Sequence, residues 1–257
     1  MSVILAAYSK DHFVDISALI INYLSLFPSI FKKEERDEFI FRNQVAGVGV
    51  LFEGQVPESS SEDFVSQTTR ITGKDFGIQK YRLMDSPESI DNISRQISEQ
   101  DFGNSRFVII EHTANWYEDP DWLKHDLPPR VTPGGNIYFP YGSIGPFFGK
   151  EPDTKGKRYS DMVSSYYGQF LDSQKLSGLA EITQLRHFTA GIYSKSGAAK
   201  LFFVRSKSIV SDIDIFRSED QMYICTAMTL TMALVNKLSI KTGLEPIQSG
   251  DIIEIQL

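Results

Sequence analysis

Apolar side chains recur at two spacings along this chain, and the two spacings predict strands and helices. Residues 3–8 form a short apolar run that predicts a strand. Residues 16–27 carry apolar side chains every three or four positions, which is one face of an amphipathic helix. Pro28 should end that helix, because the residue before a proline avoids the helical conformation. The run 45–52 predicts a second strand, and its two glycines indicate a bulge or a close backbone approach.

Residues 78–112 have the clearest local pattern. The segment 78–84 predicts a strand, and Ser86 followed by Pro87 is typical of a helix start. Isoleucines supply the buried face of that helix, and 107–110 predict a uniformly apolar strand. Strand, helix and strand with short connections predict a βαβ unit within a sheet that is covered on both faces.

Proline and glycine dominate residues 127–156, where they occupy twelve of thirty positions. A helix interior or a central strand does not tolerate that density, because proline lacks an N–H and glycine weakens both elements. The segment is therefore predicted to be one long Gly/Pro-rich loop, and loops of this length are often functional.

The C-terminal part of the chain predicts further strands and one buried helix. The runs 188–193 and 200–205 flank Ser-Lys-Ser-Gly and predict a β-hairpin, with a third strand over 209–215. A capping box at 218–221 predicts the start of a central, apolar helix. The segment 251–257 predicts a last strand.

These elements together predict an α+β (or α/β) fold. It comprises a mixed β-sheet containing one βαβ unit, four to five helices and one long Gly/Pro-rich loop. The chain should form a single compact domain over 1–257, or two packed subdomains, 1–126 and 157–257, joined by 127–156.

Charge and cysteine content exclude several classes of protein. The 26 basic and 33 acidic residues leave a net charge of −7, which disfavours general nucleic-acid binding. The single cysteine, Cys225, excludes an internal disulfide and a Cys-rich zinc site. No apolar run is long enough for a membrane span, and the N-terminal run lacks the features of a signal peptide. We therefore expect a cytoplasmic protein. Because no phosphate-loop or dinucleotide motif is present, we also expect no cofactor.

Acids, imidazoles and aromatic rings are concentrated in residues 111–148. If 107–110 end a strand, this segment begins at the strand's carboxyl end, where α/β sheets bind ligands. Two carboxylates could hydrolyse a glycosidic bond, or His112, His125 and an acid could hold a metal ion. The rings could instead bind a protein or simply pack the loop against the sheet. The candidate catalytic residues are Glu111, His112, Asp121 and His125, and the candidate aromatic binding residues are Trp116, Tyr117, Trp122, Tyr138, Phe139 and Tyr141.

A second candidate surface is the basic hairpin. No acid occurs between Glu181 and Asp212, whereas five basic residues do. Such a cluster could bind a phosphate or an acidic protein surface, or its lysines could protect an exposed sheet edge. The basic residues are Arg186, Lys195, Lys200, Arg205 and Lys207.

The leading hypothesis is a non-catalytic binding protein that recognises another protein, in an inhibitor or immunity-type role. One alternative is a hydrolase that acts on a glycan or a phosphoester, with or without a metal ion. A second alternative is a self-assembling structural protein.

Overall fold

The computed structural model has two antiparallel sheets and five helical segments in the part of the chain that it describes. The described residues are 2–30, 45–56, 64–83, 87–115, 127–143, 167–181, 186–207, 214–217, 220–226, 228–239 and 243–257. The strands are β1 (Ser2–Ser9), β2 (Val45–Glu53), β3 (Phe64–Ile71), β4 (Lys74–Leu83), β5 (Phe107–Asn115), β6 (Arg130–Val131), β7 (Ile137–Ser143), β8 (Arg186–Lys195), β9 (Ala198–Arg205), β10 (Asp214–Arg217), β11 (Gln221–Cys225), β12 (Gly243–Pro246) and β13 (Ile252–Gln256). The helices are α1 (Ile16–Ile30), α2 (Pro87–Ser98), α3 (Leu176–Ala180) and α4 (Met228–Leu238), and residues 167–172 are also helical.

The chain divides into two compact units, each assembled from segments that are distant in sequence. The first unit comprises Met1–Thr68, Asp75–Leu127 and Asp212–Pro246. The second comprises Thr69–Lys74, Pro128–Ser211 and Ile247–Leu257. The predicted subdivision at 127–156 stays a prediction.

An eight-stranded sheet forms the centre of the first unit, in the order β12-β10-β11-β1-β5-β2-β4-β3. Every pairing whose register is described is antiparallel, whereas the sequence predicts a mixed sheet. The predicted strand over 3–8 is confirmed as β1, which lies between β11 and β5. Residues 3–7 are each at most 7% exposed, because side chains on both faces of this central strand are covered.

Helices α1, α2 and α4 supply buried side chains to one apolar core on one face of this sheet. The predicted face of α1 is confirmed, since Ile16, Leu19, Ile20, Tyr23 and Leu24 are each at most 3% exposed. The prediction that Pro28 ends the helix is wrong, because α1 continues to Ile30. Tertiary packing of the preceding turns outweighs the local preference of proline. None of the described helices is both long and apolar enough to span a bilayer.

The described pairings of β2 contain no bulge. Its register runs without interruption against both β4 and β5, so the bulge suggested by its glycines is wrong. β2 also lies between β4 and β5, which are the strands on either side of α2. The βαβ unit therefore stays a prediction, although the order strand, helix, strand is observed over residues 74–115.

The start of the predicted central helix is wrong. Residues Gln221–Cys225 form β11, which pairs with β1 and β10, and the helix begins only at Met228. A uniformly apolar run fits a buried strand and a buried helix equally well. Tyr223 and Ile224 favour the strand, since aromatic and β-branched side chains pack well on a pleated surface.

A five-stranded antiparallel sheet forms the centre of the second unit, in the order β13-β9-β8-β7-β6. The predicted hairpin is confirmed as β8 and β9. Its two turn residues, Ser196 and Gly197, have φ values of 55° and 77°, as a tight type I′ turn requires. The 167–172 helix and α3 pack apolar side chains against one face of this sheet.

Part of the predicted Gly/Pro-rich loop is regular structure. Residues 130–131 and 137–143 are strands β6 and β7, and 144–156 lie outside the described residues. β7 tolerates Pro140 because β6 pairs only with Ile137 and Tyr138. Beyond those two residues β7 pairs with β8 alone among the described strands, and proline is accommodated where a strand has such a free side.

Candidate functional site

Glu111 and His112 lie within β5 and not beyond its end. Because they are consecutive residues in a strand, their side chains point to opposite faces of the sheet. His112 is opposite Val3 and Val48, whereas Glu111 is opposite Ile4 and Gly49. Both residues are only 2% exposed. The prediction that they share one solvent-facing site is therefore wrong, because the strand is longer than its apolar run.

Burial determines the charge state of His112. Its pKa is lowered to about 3, first by burial and then by the positive charge of the amino terminus. The imidazole is therefore neutral at physiological pH, and neutral imidazole is the form that binds metals. Among the described residues, however, no group of three His, Cys, Asp or Glu side chains could hold a metal ion. His125, the other predicted ligand, lies outside the described residues.

Glu111 shares its face of the sheet with Lys80. In the pairing register, Gly49 of β2 lies directly between Lys80 of β4 and Glu111 of β5. The two charged residues are therefore two strand spacings apart, about 9.5 Å between Cα atoms. Gly49 places no side chain between them. The Lys80 side chain is long and can therefore extend across Gly49 toward the Glu111 carboxylate. Both are buried, at 7% and 2% exposure.

Lys80 was not among the predicted site residues. The available signal was a lysine that follows Phe76 and Ile78 on one face of β4 and lies opposite a glycine of the neighbouring strand. That signal is visible only once the register is known, because a shift of one residue moves every side chain to the other face.

Tyr23 and Cys225 are further buried polar groups of the first unit. Burial raises the pKa of Tyr23, and the nearby charges of Cys225 and Glu111 raise it further. The phenol therefore stays protonated. Cys225 is 1% exposed, so its thiol is not accessible to solvent.

The aromatic candidates that the structure describes are not surface groups. Tyr138 and Phe139 of β7 are fully buried, and Tyr138 stacks on Tyr167 with ring centroids 5.6 Å apart. The expectation that they form an exposed aromatic surface is therefore wrong, because β7 is a strand whose two faces are covered. The side chain of Tyr141 is not described. The other candidates lie outside the described residues: Trp116, Tyr117, Asp121, Trp122 and His125.

Three basic residues of the predicted hairpin surface have carboxylate partners. Lys195 and Lys200 contact Glu254 of β13, at 3.0 and 3.6 Å. Lys207 contacts Glu181 at 2.5 Å. The hairpin also is not a sheet edge, since β9 lies between β13 and β8. Arg186 has no described side chain, and Arg205 donates a hydrogen bond to the carbonyl oxygen of Ile247.

Glu254 is the shared carboxylate partner of Lys195 and Lys200. Burial alone would raise its pKa, but hydrogen bonds from Tyr193 and Lys195 and the charges of Lys195 and Lys200 hold the pKa below its usual value. The carboxylate is thus charged at neutral pH. Sequence reasoning missed this pairing because Glu254 lies more than 50 residues from either lysine.

Asp172 anchors the turn between β6 and β7. It accepts hydrogen bonds from the Thr132 hydroxyl, from the Gly134 N–H at 3.0 Å and from the Asn136 side chain at 2.6 Å. The Asn136 side-chain oxygen in turn accepts a hydrogen bond from the Ser194 N–H at 2.8 Å. The network is satisfied internally, so it supports a structural role for Asp172.

One end of the eight-stranded sheet presents an exposed aromatic residue. Phe13, in the connection between β1 and α1, is 62% exposed and is the most exposed large apolar residue among those described. Residues 10–15 are called here the Phe13 loop. Backbone hydrogen bonds hold it: the Lys10 N–H donates to the Asp220 carbonyl and the Val14 N–H to the Ser105 carbonyl, both at 2.8 Å. Sequence reasoning missed this surface, because a single aromatic residue in a loop has no distinctive pattern.

Comparison with known proteins supports the fold alone. No family model matches the sequence, and no curated protein matches it. The fold is similar to that of glutamine phosphoribosylpyrophosphate (PRPP) amidotransferase from B. subtilis complexed with ADP and GMP, with a TM-score of 0.52 and 8% identity over 99% of this chain and 47% of that chain. A second structure, the allosteric regulatory enzyme of purine biosynthesis, has a TM-score of 0.49 and 8% identity, with the same coverage of 99% and 47%. The chain thus spans about half the length of the solved structures that it matches.

Proposed function

We propose that this chain is a non-catalytic binding protein that recognises another protein. The observation that carries the proposal is the placement of Glu111 and His112. Each is 2% exposed, they point to opposite faces of β5, and the imidazole has a pKa near 3. An acid–base pair must reach the same substrate from solvent, and this arrangement argues against such a pair.

Fold similarity is compatible with this proposal but does not carry an activity. The similar B. subtilis protein is an amidotransferase, and this chain spans 47% of it. The same fold can host unrelated functions, so a binding role is argued from this chain's own surface. The acidic composition and the expected cytoplasmic location suit an inhibitor or an immunity-type protein, and we propose those roles with it.

The alternative of a hydrolase is favoured by one observation. Lys80 and Glu111 are buried opposite charges on one face of the sheet, separated in register only by Gly49. Buried charges of this kind are enriched at active sites, although structural ion pairs also produce them. Under this alternative, Glu111 would act as a general base, because the positive charge of Lys80 favours the ionised form of the carboxylate.

A comparison of two properties of the purified protein tests the proposal. We expect the chain to form a stable complex with one protein from the source cells. Light scattering after gel filtration of the two purified proteins measures this complex. We expect Glu111→Gln to leave the stoichiometry and affinity of the complex unchanged. Glycan and phosphoester substrates should not be turned over. The hydrolase would instead be supported by turnover that is lost in Glu111→Gln. The control Asp101→Asn, at an exposed position, should keep that turnover.

A further inference from the structure

The Phe13 loop combines an exposed aromatic ring with a well-held backbone. Besides the two bonds at Lys10 and Val14, the Ser9 N–H donates to the Arg106 carbonyl at 2.8 Å and the His12 N–H to the Ser9 hydroxyl at 3.2 Å. The side chain of Asp15 accepts from the Ala18 N–H at 2.9 Å and so caps α1. A ring presented from an ordered backbone loses little conformational entropy when a partner binds it.

The charges around Phe13 have one predominant sign. Asp11 and Asp15 are exposed on the loop itself, and Asp220 is exposed at the residue whose carbonyl bonds to Lys10. Asp101 is exposed in the adjoining turn before β5. Lys10 is exposed on the loop as well, so these four aspartates and one lysine carry a net charge of −3.

Arg106, a further basic residue near the loop whose side chain the structure describes, does not change this balance. Arg106 lies beside Ser105, and its guanidinium contacts Glu53 at 3.5 Å. Arg106 and Glu53 cancel each other's charge. The acidic character also extends beyond the loop, since residues 1–130 contain 13 basic and 21 acidic residues.

We propose that the Phe13 loop is a docking surface for a basic protein, and that the Phe13 ring enters an apolar pocket rimmed by Lys or Arg on that protein. This inference rests on the proposed function and names the surface and the kind of partner. The aromatic ring supplies affinity, as buried aromatic anchors do at interfaces. The surrounding carboxylates supply orientation and a faster association rate.

Charge also decides between the possible occupants. A second copy of this chain would place the same negative surface against itself in a symmetric contact, where like charges repel. Nucleic acid is repelled for the same reason. A partner of opposite charge is the occupant that the described residues favour.

Photo-crosslinking identifies the partner from the position of the ring. We replace Phe13 by p-benzoylphenylalanine in the full chain and irradiate the source cells; the same replacement at Met232, which is 42% exposed on α4, is the matched control. We expect one crosslinked protein from position 13, absent from position 232, with a pI above 7. A crosslink to a second copy of this chain, an acidic partner or no crosslink at position 13 would overturn the inference.

Affinities measured with the purified partner complete the test. We expect Phe13→Ala to weaken binding at least about 30-fold, as loss of an interface hot spot does, and Met232→Ala to leave it unchanged. The double variant Asp11→Asn, Asp220→Asn should slow association and flatten its dependence on salt. If a partner binds but Phe13→Ala has no effect, the surface assignment fails and the proposed function stands. If no protein binds the chain at all, both fail.

Discussion

At the scale of single residues, burial controls the chemistry of the ionisable groups in the first unit. His112, Glu111 and Lys80 all lie in strands whose faces are covered, and none is more than 7% exposed. A buried charge needs a compensating partner, whereas a buried imidazole can instead lose its proton. His112 is buried in its neutral form. Lys80 and Glu111 are instead placed on either side of Gly49, where each can compensate the charge of the other.

The lowered pKa of His112 predicts a loss of stability in acid. The unfolded chain binds a proton at this residue near pH 6.5, whereas the folded chain does so only near pH 3. Between those values the unfolded state holds the extra proton, so the free energy of unfolding falls as the pH falls, by about 1.4 kcal/mol per pH unit from this group. Above pH 6.5 the residue contributes no pH dependence.

Urea denaturation at pH 4.5, 5.5 and 7.5 measures this effect. We expect the unfolding free energy of His112→Gln to decrease less in acid than that of the unaltered chain. The control is His12→Gln, at an exposed position, and we expect it to show the same decrease as the unaltered chain. Identical pH profiles for His112→Gln and the unaltered chain would contradict the prediction.

At the scale of elements, close approach of backbones decides which residues a strand accepts. Gly191 of β8 lies opposite Tyr138 of β7. A Cβ atom at position 191 would lie 2.0 Å from the Ile137 carbonyl oxygen, far inside van der Waals contact. Because the contacting atom is backbone, only separation of the two strands can relieve the clash.

Gly191→Ala should therefore destabilise the protein by about 3 kcal/mol, as overpacking of a core does. The matched control is Gly243→Ala, since a Cβ there meets nothing within 4 Å, and we expect that change to be neutral within about 1 kcal/mol. Chemical denaturation of the two variants compares them. Equal stabilities of the two variants would contradict the prediction.

The elements also differ in how well their patterns could be read. The face of α1, the strand β1 and the β8–β9 hairpin follow from local periodicity and turn residues. The apolar run at β11 does not, because a buried strand and a buried helix have the same composition. The sequence did not predict β7, because Pro140 and the glycines around it argue against a strand. Proline is compatible with a strand only where no backbone N–H is needed for a hydrogen bond to a neighbouring strand.

At the scale of the whole molecule, both compact units draw on the C-terminal part of the chain. The first unit uses Asp212–Pro246, which holds β10, β11, α4 and β12. The second unit uses Ile247–Leu257, which holds β13. β11 pairs with the central strand β1. Removal of β11 would therefore leave one side of β1 without its neighbouring strand.

A fragment ending at residue 211 should therefore fail to fold cooperatively. It would lack the strands that cover one side of β1 and one side of β9, and it would expose their apolar side chains. Near-ultraviolet circular dichroism and limited proteolysis of fragment 1–211 beside the full chain measure this. A fragment 1–126 with native-like spectra would contradict the division into discontinuous units and would favour the sequential subdomains.

The sequence by itself determined the α+β class, β1, α1, α2 and the hairpin, because strand and helix periods are local properties of neighbouring residues. Tertiary structure decided that Glu111 and His112 face apart, that Lys80 shares a face with Glu111 and that Glu254 pairs with Lys195 and Lys200. It also decided that Phe13 is held at the surface by residues more than 90 positions away. These relations depend on strand register between distant segments, and register is set by packing of the whole sheet, which no local pattern contains.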